Sequence, residues 1–287
     1  MVSNLSPWSP SAREIERQSF RRASHNRKRL IAVFSTIFVL GSLATVLITS
    51  PGWKSVKETF FDIEYGKEVF PTVIRGLVVN IQLTVIGGIA ITIIALALAL
   101  LRTTKSPALT PFRFIATAYV DIFRGAPLIL IILLVGFGVP ALRIQGLTSN
   151  VIVLGTVAVV LTYSAYVAEV IRSGILSVHA SQRAAARSLG LTSNQAMRYV
   201  ILPQAIRRVI PPLLNDFVSL LKDTGLVSIL GVTDAVRAAQ INASRTFNYT
   251  PYVVAAILFL LITIPLTRYI DRHIRLRSEQ QNSEGVA

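Results

Sequence analysis

Residues 178–203, VHASQRAAARSLGLTSNQAMRYVILP, are polar and basic, and the chain on either side of them is oily. The stretch reads as two short helices with a break. Residues 181–189 are rich in Ala, Arg, Gln and Leu, all good helix formers. Gly190 follows, the residue type on which helices commonly end in a left-handed turn. Thr192 with Gln195 three positions on has the form of a capping box, so a second helix is expected to start there. Pro203 removes a backbone donor and is expected to end or kink that helix. A compact helical knob of this kind, set between two membrane spans, looks built to dock against another protein.

The surroundings decide that these are membrane spans. Of 287 residues, 52% are hydrophobic and 15% charged, and the mean hydropathy is +0.59. A water-soluble domain is not this oily, so the expected class is an all-α integral membrane protein. The net charge of +15 could point to nucleic acid. The basic residues instead cluster between oily runs, as the positive-inside rule requires, and no nucleic-acid-binding domain is legible. There are no cysteines, which excludes disulfides and thiolate metal sites. His25, His179 and His273 are scattered and form no metal-binding spacing, so no metal is expected. Neither a phosphate-binding Gly-x-x-x-x-Gly-Lys loop nor a Gly-x-Ser-x-Gly nucleophile turn occurs. The chain is therefore expected to bind no ATP or other cofactor itself and to hold no catalytic set.

Taken in order, residues 1–29 are a basic segment with Arg13, Arg17, Arg21, Arg22, Arg27, Lys28 and Arg29, expected in the cytoplasm. The segment is longer than the charged start of a signal peptide, so the first apolar run, within 30–49, is read as a retained span. Trp53 stands as an interfacial anchor. Residues 54–71 mix charges and aromatics and read as an outside loop, in part helical. Residues 76–101 are the second span, closed inside by Arg102 and Lys105. An amphipathic stretch at 112–124 and an apolar one at 125–140 make the third, and 151–171 the fourth. Residues 209–221 and 224–232 flank Lys222-Asp223 as a fifth span interrupted by charge. Residues 233–249 are polar and outside, and 252–266 form the core of the sixth. Six spans with both termini inside leave 20 Lys and Arg on the inner segments against 7 outside, the bias expected of that orientation. Residues 276–287 are then a cytoplasmic tail.

The loop also carries a resemblance. Ala185-Ala186, Gly190 and Ile201-Leu202-Pro203 resemble the Glu-Ala-Ala loop of bacterial ABC-transporter permeases. Residues 165–174 (AYVAEVIRSG), 202–207 (LPQAIR), 211–217 (PPLLNDF), 221–226 (LKDTGL) and 123–128 (FRGAPL) extend it. Together they look like the polar amino acid uptake branch, the histidine, glutamine and glutamate type, over roughly residues 70–275. That resemblance implies a five-helix importer core, with the 30–49 span an addition to it. It implies Gln182, Ala184, Ala185, Ala186, Gly190, Leu202 and Pro203 as an ATPase-coupling loop. It implies an ABC ATPase dimer that carries the ATP, an extracytoplasmic amino-acid-binding protein, and a second copy or sister permease, all at a bacterial plasma membrane. Ala184 stands where the family's loop usually carries Glu, and Ser181 where it has Gly.

Charged and polar residues inside apolar runs are costly and mark function or helix pairing. Asp121 with Arg124, and Glu169 with Arg172, are spaced i, i+3 and read as structural ion pairs. Asn80, Gln82, Thr84, Asn215, Ser219, Lys222, Asp223 and Thr224 are the candidates for a translocation path or gate. For each, a helix–helix hydrogen bond is the competing reading. The functional expectation is a membrane subunit of an ATP-driven importer, glutamate or glutamine type favoured, working by alternating access. An autonomous channel or secondary transporter, or an ABC permease for another small polar solute, are the alternatives. A membrane enzyme lacks a nucleophile–base set.

Overall fold

The computed structural model describes residues 11–104 and 106–284. The expectations for residues 1–10, for Lys105 and for residues 285–287 lie outside the described residues. The chain divides into two units, residues 1–58 and 59–287, and every described element is helical.

The first unit is built on α1 (Ala12–Thr49), which starts on a Ser11 cap and runs unbroken from the basic segment through the first apolar run. Its apolar side chains from Leu30 to Ile48 are exposed throughout, the state of a span whose solvent is lipid. α2 (Trp53–Phe60) opens on the expected anchor residue.

The second unit is a helical bundle. α3 (Ile63–Thr103) is 41 residues long and starts well before the expected span, because Asp62 caps it by accepting from the Tyr65 amide. α4 (Thr110–Gly125) and α5 (Leu128–Leu133) follow, then a π-turn at 134–138 and the short α6 (Val139–Ala141). The α4 and α5–α6 segments meet at 106°, so the expected third span is not straight. Ala126, held extended in front of Pro127, is the break; a residue before proline is pushed out of the helical region. α7 (Val151–Leu176) is the straight fourth span. α8 (Ala180–Ser188) and α9 (Ser193–Ala196) form the knob. α10 (Leu202–Asp223) leads into a 3-10 segment at Thr224–Leu230. α11 (Ala235–Thr246) and α12 (Thr250–Glu284) complete the unit.

Four helical stretches among the described residues are long and apolar enough to cross a membrane, and the bent pair brings the number to five. α10 is not among them, since Arg207, Arg208, Asp216, Lys222 and Asp223 make it too polar. One side of it packs on the bundle through Ala205, Val209, Val218, Leu220 and Leu221, while Ile206, Leu214 and Phe217 stay exposed. The main core joins α3, α5, α7 and the 224–230 segment around Leu83, Ile132, Val159 and Val227. A second core seats α11 between α3 and α12 on Ala235, Ala238 and Ala239. The polar tract at 233–249 is thus largely a packed helix rather than a solvated loop. The exposed outer surface of α3, rich in Ile and Val, faces outward along its length, as a lipid-bathed helix requires.

Candidate coupling loop and membrane path

The knob is built by short-range rules. His179 Nδ1 accepts from the Ser181 amide and starts α8. Gly190, at φ +83°, turns the chain out of it in the left-handed region that favours glycine. The turn is closed by the Leu191 amide on the Ala186 carbonyl at 3.2 Å and braced by Arg187, whose guanidinium donates to the Leu191 carbonyl. Thr192 and Gln195 form the expected reciprocal box: the Thr192 amide donates to Gln195 Oε1 at 2.8 Å and the Gln195 amide to Thr192 Oγ1 at 3.3 Å.

One expectation changes. Pro203 does not end the second helix. It sits in the first turn of α10, and the chain stays helical from Ser193 to Asp223 through a π-turn at 197–201. The widened turn stands just where the proline ring would strike the preceding carbonyl and has no N–H to give. The three alanines of the loop differ in exposure. Gln182, Ala184 and Ala185 are exposed and Ala186 is buried. Leu189, 83% exposed, is the large apolar side chain the knob presents. Leu202 is half-buried and Pro203 exposed. Beneath the knob, Ile175, Val178, Ile201 and Ala205 form a small core, and Arg208 donates to the Ser177 carbonyl. The loop is therefore clamped to the ends of α7 and α10.

Glu169 of α7 gathers cations from three helices. Its carboxylate accepts from Arg102 of α3 at 2.7 Å and from Arg172 Nε at 2.9 Å, with Arg124 of α4 at 4.0 Å. The Glu169–Arg172 spacing is thus used, while Arg124 turns to Glu169 rather than to Asp121. Asp121 is exposed and has no ion pair among the described residues. Beside this cluster an open cleft runs along α7 and α10, lined by Tyr166, Ser173, Ser177, Arg208, Pro212 and Asp216. One carboxylate oxygen of Asp216 is buried there without a hydrogen-bond partner.

The path candidates separate into groups. Asn80 is fully buried, donating to Thr224 Oγ1 at 3.2 Å and to Asp234 Oδ2 at 3.0 Å and accepting from the Ala235 amide at 3.1 Å. Thr84 is buried and donates to the Asn80 carbonyl, and Thr224 to the Leu221 carbonyl. Asn80 ties α3 to the start of the 3-10 segment and to α11, while the Thr84 hydroxyl stays within α3. Gly76 makes the approach possible, because a β-carbon there would overlap the Asp234–Ala235 peptide. Asp223 is half-buried and accepts from the Tyr163 hydroxyl at 2.6 Å. Lys222 is exposed, and both it and Asp223 line a second cleft with Arg237, Gln240 and Tyr252. Gln82 and Asn215 are exposed and Ser219 is half-buried; none of these three joins the network. Asp234 is a further member of the site, set in a tract whose sequence reads as polar and outside. Its signal is the Asp that precedes alanines at helical spacing, a helix-cap pattern.

Residues 109–276 match the family described as binding-protein-dependent transport system inner membrane component. The chain belongs to this family. It is a membrane-spanning transport component, and its relatives are permease subunits rather than catalytic ones. A probable glutamine ABC transporter permease protein of Bacillus subtilis is 38% identical over 188 residues, covering 63% of this chain and 83% of that one. The arginine transport system permease protein of the same organism is 31% identical, covering 69% and 88%. Among solved structures, the crystal structure of an amino acid ABC transporter with histidines is similar at 33% identity and TM-score 0.69, covering 75% of this permease and 98% of that chain. An inward-facing methionine ABC transporter shares the fold alone, at 21% identity and TM-score 0.58.

Proposed function

We propose that this permease is the membrane subunit of an ATP-driven importer that carries a polar amino acid, glutamate or glutamine type, by alternating access. The observation that carries the reading is the clamped basic knob at residues 178–203, inside a chain whose relatives are named amino-acid ABC permeases. The coupling surface is Gln182, Ala184, Ala185 and Leu189 on the outside of α8, with Ala186, Leu202 and the Gly190 turn holding its shape. An ATPase dimer docks there and hydrolyses the ATP. An extracytoplasmic binding protein delivers the amino acid, and a second copy or a sister permease completes the pore. Both termini lie in the cytoplasm.

The cleft between α7 and α10 is the strongest place for a polar solute to pass. It brings Arg208 and Asp216 to one surface, charges of both signs, as the ends of a zwitterion require. Lys222 and Asp223 line the other candidate opening, while Asn80, Thr84 and Thr224 hold the helices that frame it. Arg124, Glu169 and Arg172 serve the frame as the cluster at Glu169, and Asp121 stands outside it.

The test is co-purification from native membranes in mild detergent, with a tag on the C-terminal tail. An ATPase recovered with the wild type and lost with Gly190→Arg supports coupling through the knob. If cross-linking captures no ATPase and the chain transports when expressed alone, it is an autonomous transporter and the importer reading falls.

A further inference from the structure

We propose that the basic half of α1 is a binding surface for anionic phospholipid headgroups. The proposal lies outside the transport reading, since the family match begins at residue 109 and α1 ends at Thr49.

Residues 11–29 hold seven Lys or Arg against two acids, Glu14 and Glu16. The positive-inside rule accounts for the number of cations but is indifferent to their register. Most of them share a side. α1 is one helix across this segment; at about 100° per residue, positions 13, 17, 21, 27 and 28 fall within an arc of roughly 120°, and positions 22 and 29 lie outside it. Arg13, Arg17, Arg27 and Lys28 are all exposed, so the helix carries a basic stripe along one side. The apolar stretch long enough to span a membrane, Arg27–Thr49, begins where the stripe ends. Arg27 and Lys28 are thereby fixed at the membrane–water boundary.

A stripe that runs into a boundary residue is what a helix presents to a charged plane. Clusters of four to eight Lys or Arg directly next to a membrane span bind anionic headgroups for this reason. The geometry adds a condition. Position 13 is about 21 Å along the axis from position 27, well beyond the ~8 Å over which physiological salt screens a charge. An upright helix leaves Arg13 and Arg17 out of reach of the headgroups. Engagement of the whole stripe therefore leans this half of α1 toward the surface. Ser24, His25 and Asn26, all weak helix formers, stand between the distal cations and the boundary and give the helix a place to bend. Anionic lipid thus changes the depth of the segment, and neutral lipid does not.

The chain has no cysteine, so Ser19→Cys supplies the sole thiol for a spin label. The full-length protein is placed in nanodiscs of phosphatidylcholine with stepped amounts of phosphatidylglycerol. Label mobility and accessibility to a water-soluble relaxant are then read. The expected result is loss of mobility and of accessibility as phosphatidylglycerol rises, reversed by high salt. Combined Arg13→Gln, Arg17→Gln and Arg21→Gln shifts the midpoint by about fivefold per charge removed, so the response leaves the accessible range. The same three positions changed to Lys keep it, which separates charge from loss of helix. The proposal is overturned if the label reads alike in neutral and anionic discs, or if the three-Gln variant responds as wild type does. It is also overturned if inorganic phosphate reproduces the change in purely neutral discs, since the ligand is then a free anion and not a lipid surface.

Discussion

Asn80→Leu keeps the size of the side chain and removes its polarity, and the structure gives the size of the damage. Asn80 is fully buried and makes three hydrogen bonds across two chain segments. Thr224 Oγ1 loses only the N–H that donates to it and still donates to the Leu221 carbonyl, so its share is small. Asp234 Oδ2 loses the Asn80 amide, while Oδ1 keeps the Arg237 amide at 2.8 Å. The Ala235 amide is left with no partner at its helix start. Two buried polar groups are thus stranded, at about 1–3 kcal/mol each in water-soluble proteins. Hydrogen bonds between membrane helices run lower, about 0.6–1.7 kcal/mol, because the unfolded chain in a membrane also finds partners. The expected loss is about 2–4 kcal/mol. The assay is unfolding of the purified protein in mixed micelles with rising denaturing detergent, run beside Gln82→Leu. Gln82 lies two residues on, exposed, and its substitution is expected to fall within about 0.5 kcal/mol of wild type. Equal stability of Asn80→Leu and wild type, with a weakened apparent affinity for transported solute, would refute the structural reading and return Asn80 to the path.

The other predictions concern the cation cluster, the 224–230 segment and the knob. Glu169→Gln leaves Arg102, whose side chain is only 10% exposed, without its counter-charge; a loss of about 2–3 kcal/mol is expected in thermal unfolding, below the full cost of a buried pair, whereas Asp121→Asn at an exposed site moves the midpoint little. Gly155→Leu drives a side chain into Val227, which already fills the space beside the glycine; overpacking of about 1–3 kcal/mol is expected to lower the yield of folded protein in size-exclusion profiles. Gly190→Ala forces a β-carbon into the left-handed region at about 1–2 kcal/mol; hydrogen exchange of the 187–192 amides is expected to accelerate while the bundle core is unaffected.

The knob was legible because its rules are local. The helix formers at 181–189, the left-handed Gly190 and the capping box at Thr192 and Gln195 each act over a few neighbouring residues and need no tertiary partner. The Glu169 cluster was half legible. An i, i+3 spacing shows that Glu169 and Arg172 share a face, and it found that pair. The same spacing at Asp121 and Arg124 shows a shared face and nothing about what stands opposite, and there a carboxylate 45 positions along the chain competes for the arginine. The bend between α4 and α5 was written in Ala126-Pro127, but an apolar run of ordinary length on one side drew the segment into a single span. α11 was hidden by composition: Arg, Asn, Gln, Ser and Thr make residues 233–249 look solvated, while Ala235, Ala238, Ala239 and Ala243, at helical spacing, are the side that packs.

That small-residue side changes how motion at the knob would be felt. The chain is helical without interruption from Ser193 to Asp223, about 46 Å of rod at ~1.5 Å per residue. One end of the rod is clamped to the knob through Ile201 and Ala205. The other end is pinned twice, by Tyr163 on Asp223 and by Asn80 on Thr224. A partner that displaces the knob therefore acts on two hydrogen-bonded pins and on Val227 beside Gly155, not on a flexible tether. Packed elements of this kind have discrete arrangements rather than continuous ones, and a displaced rod must either break the pins or carry α3 and α7 along. The second course keeps these pins, and Asn80 ties α11 to α3 as well, so under the proposed function α3, α7, α10 and α11 move as one body when the ATPase closes.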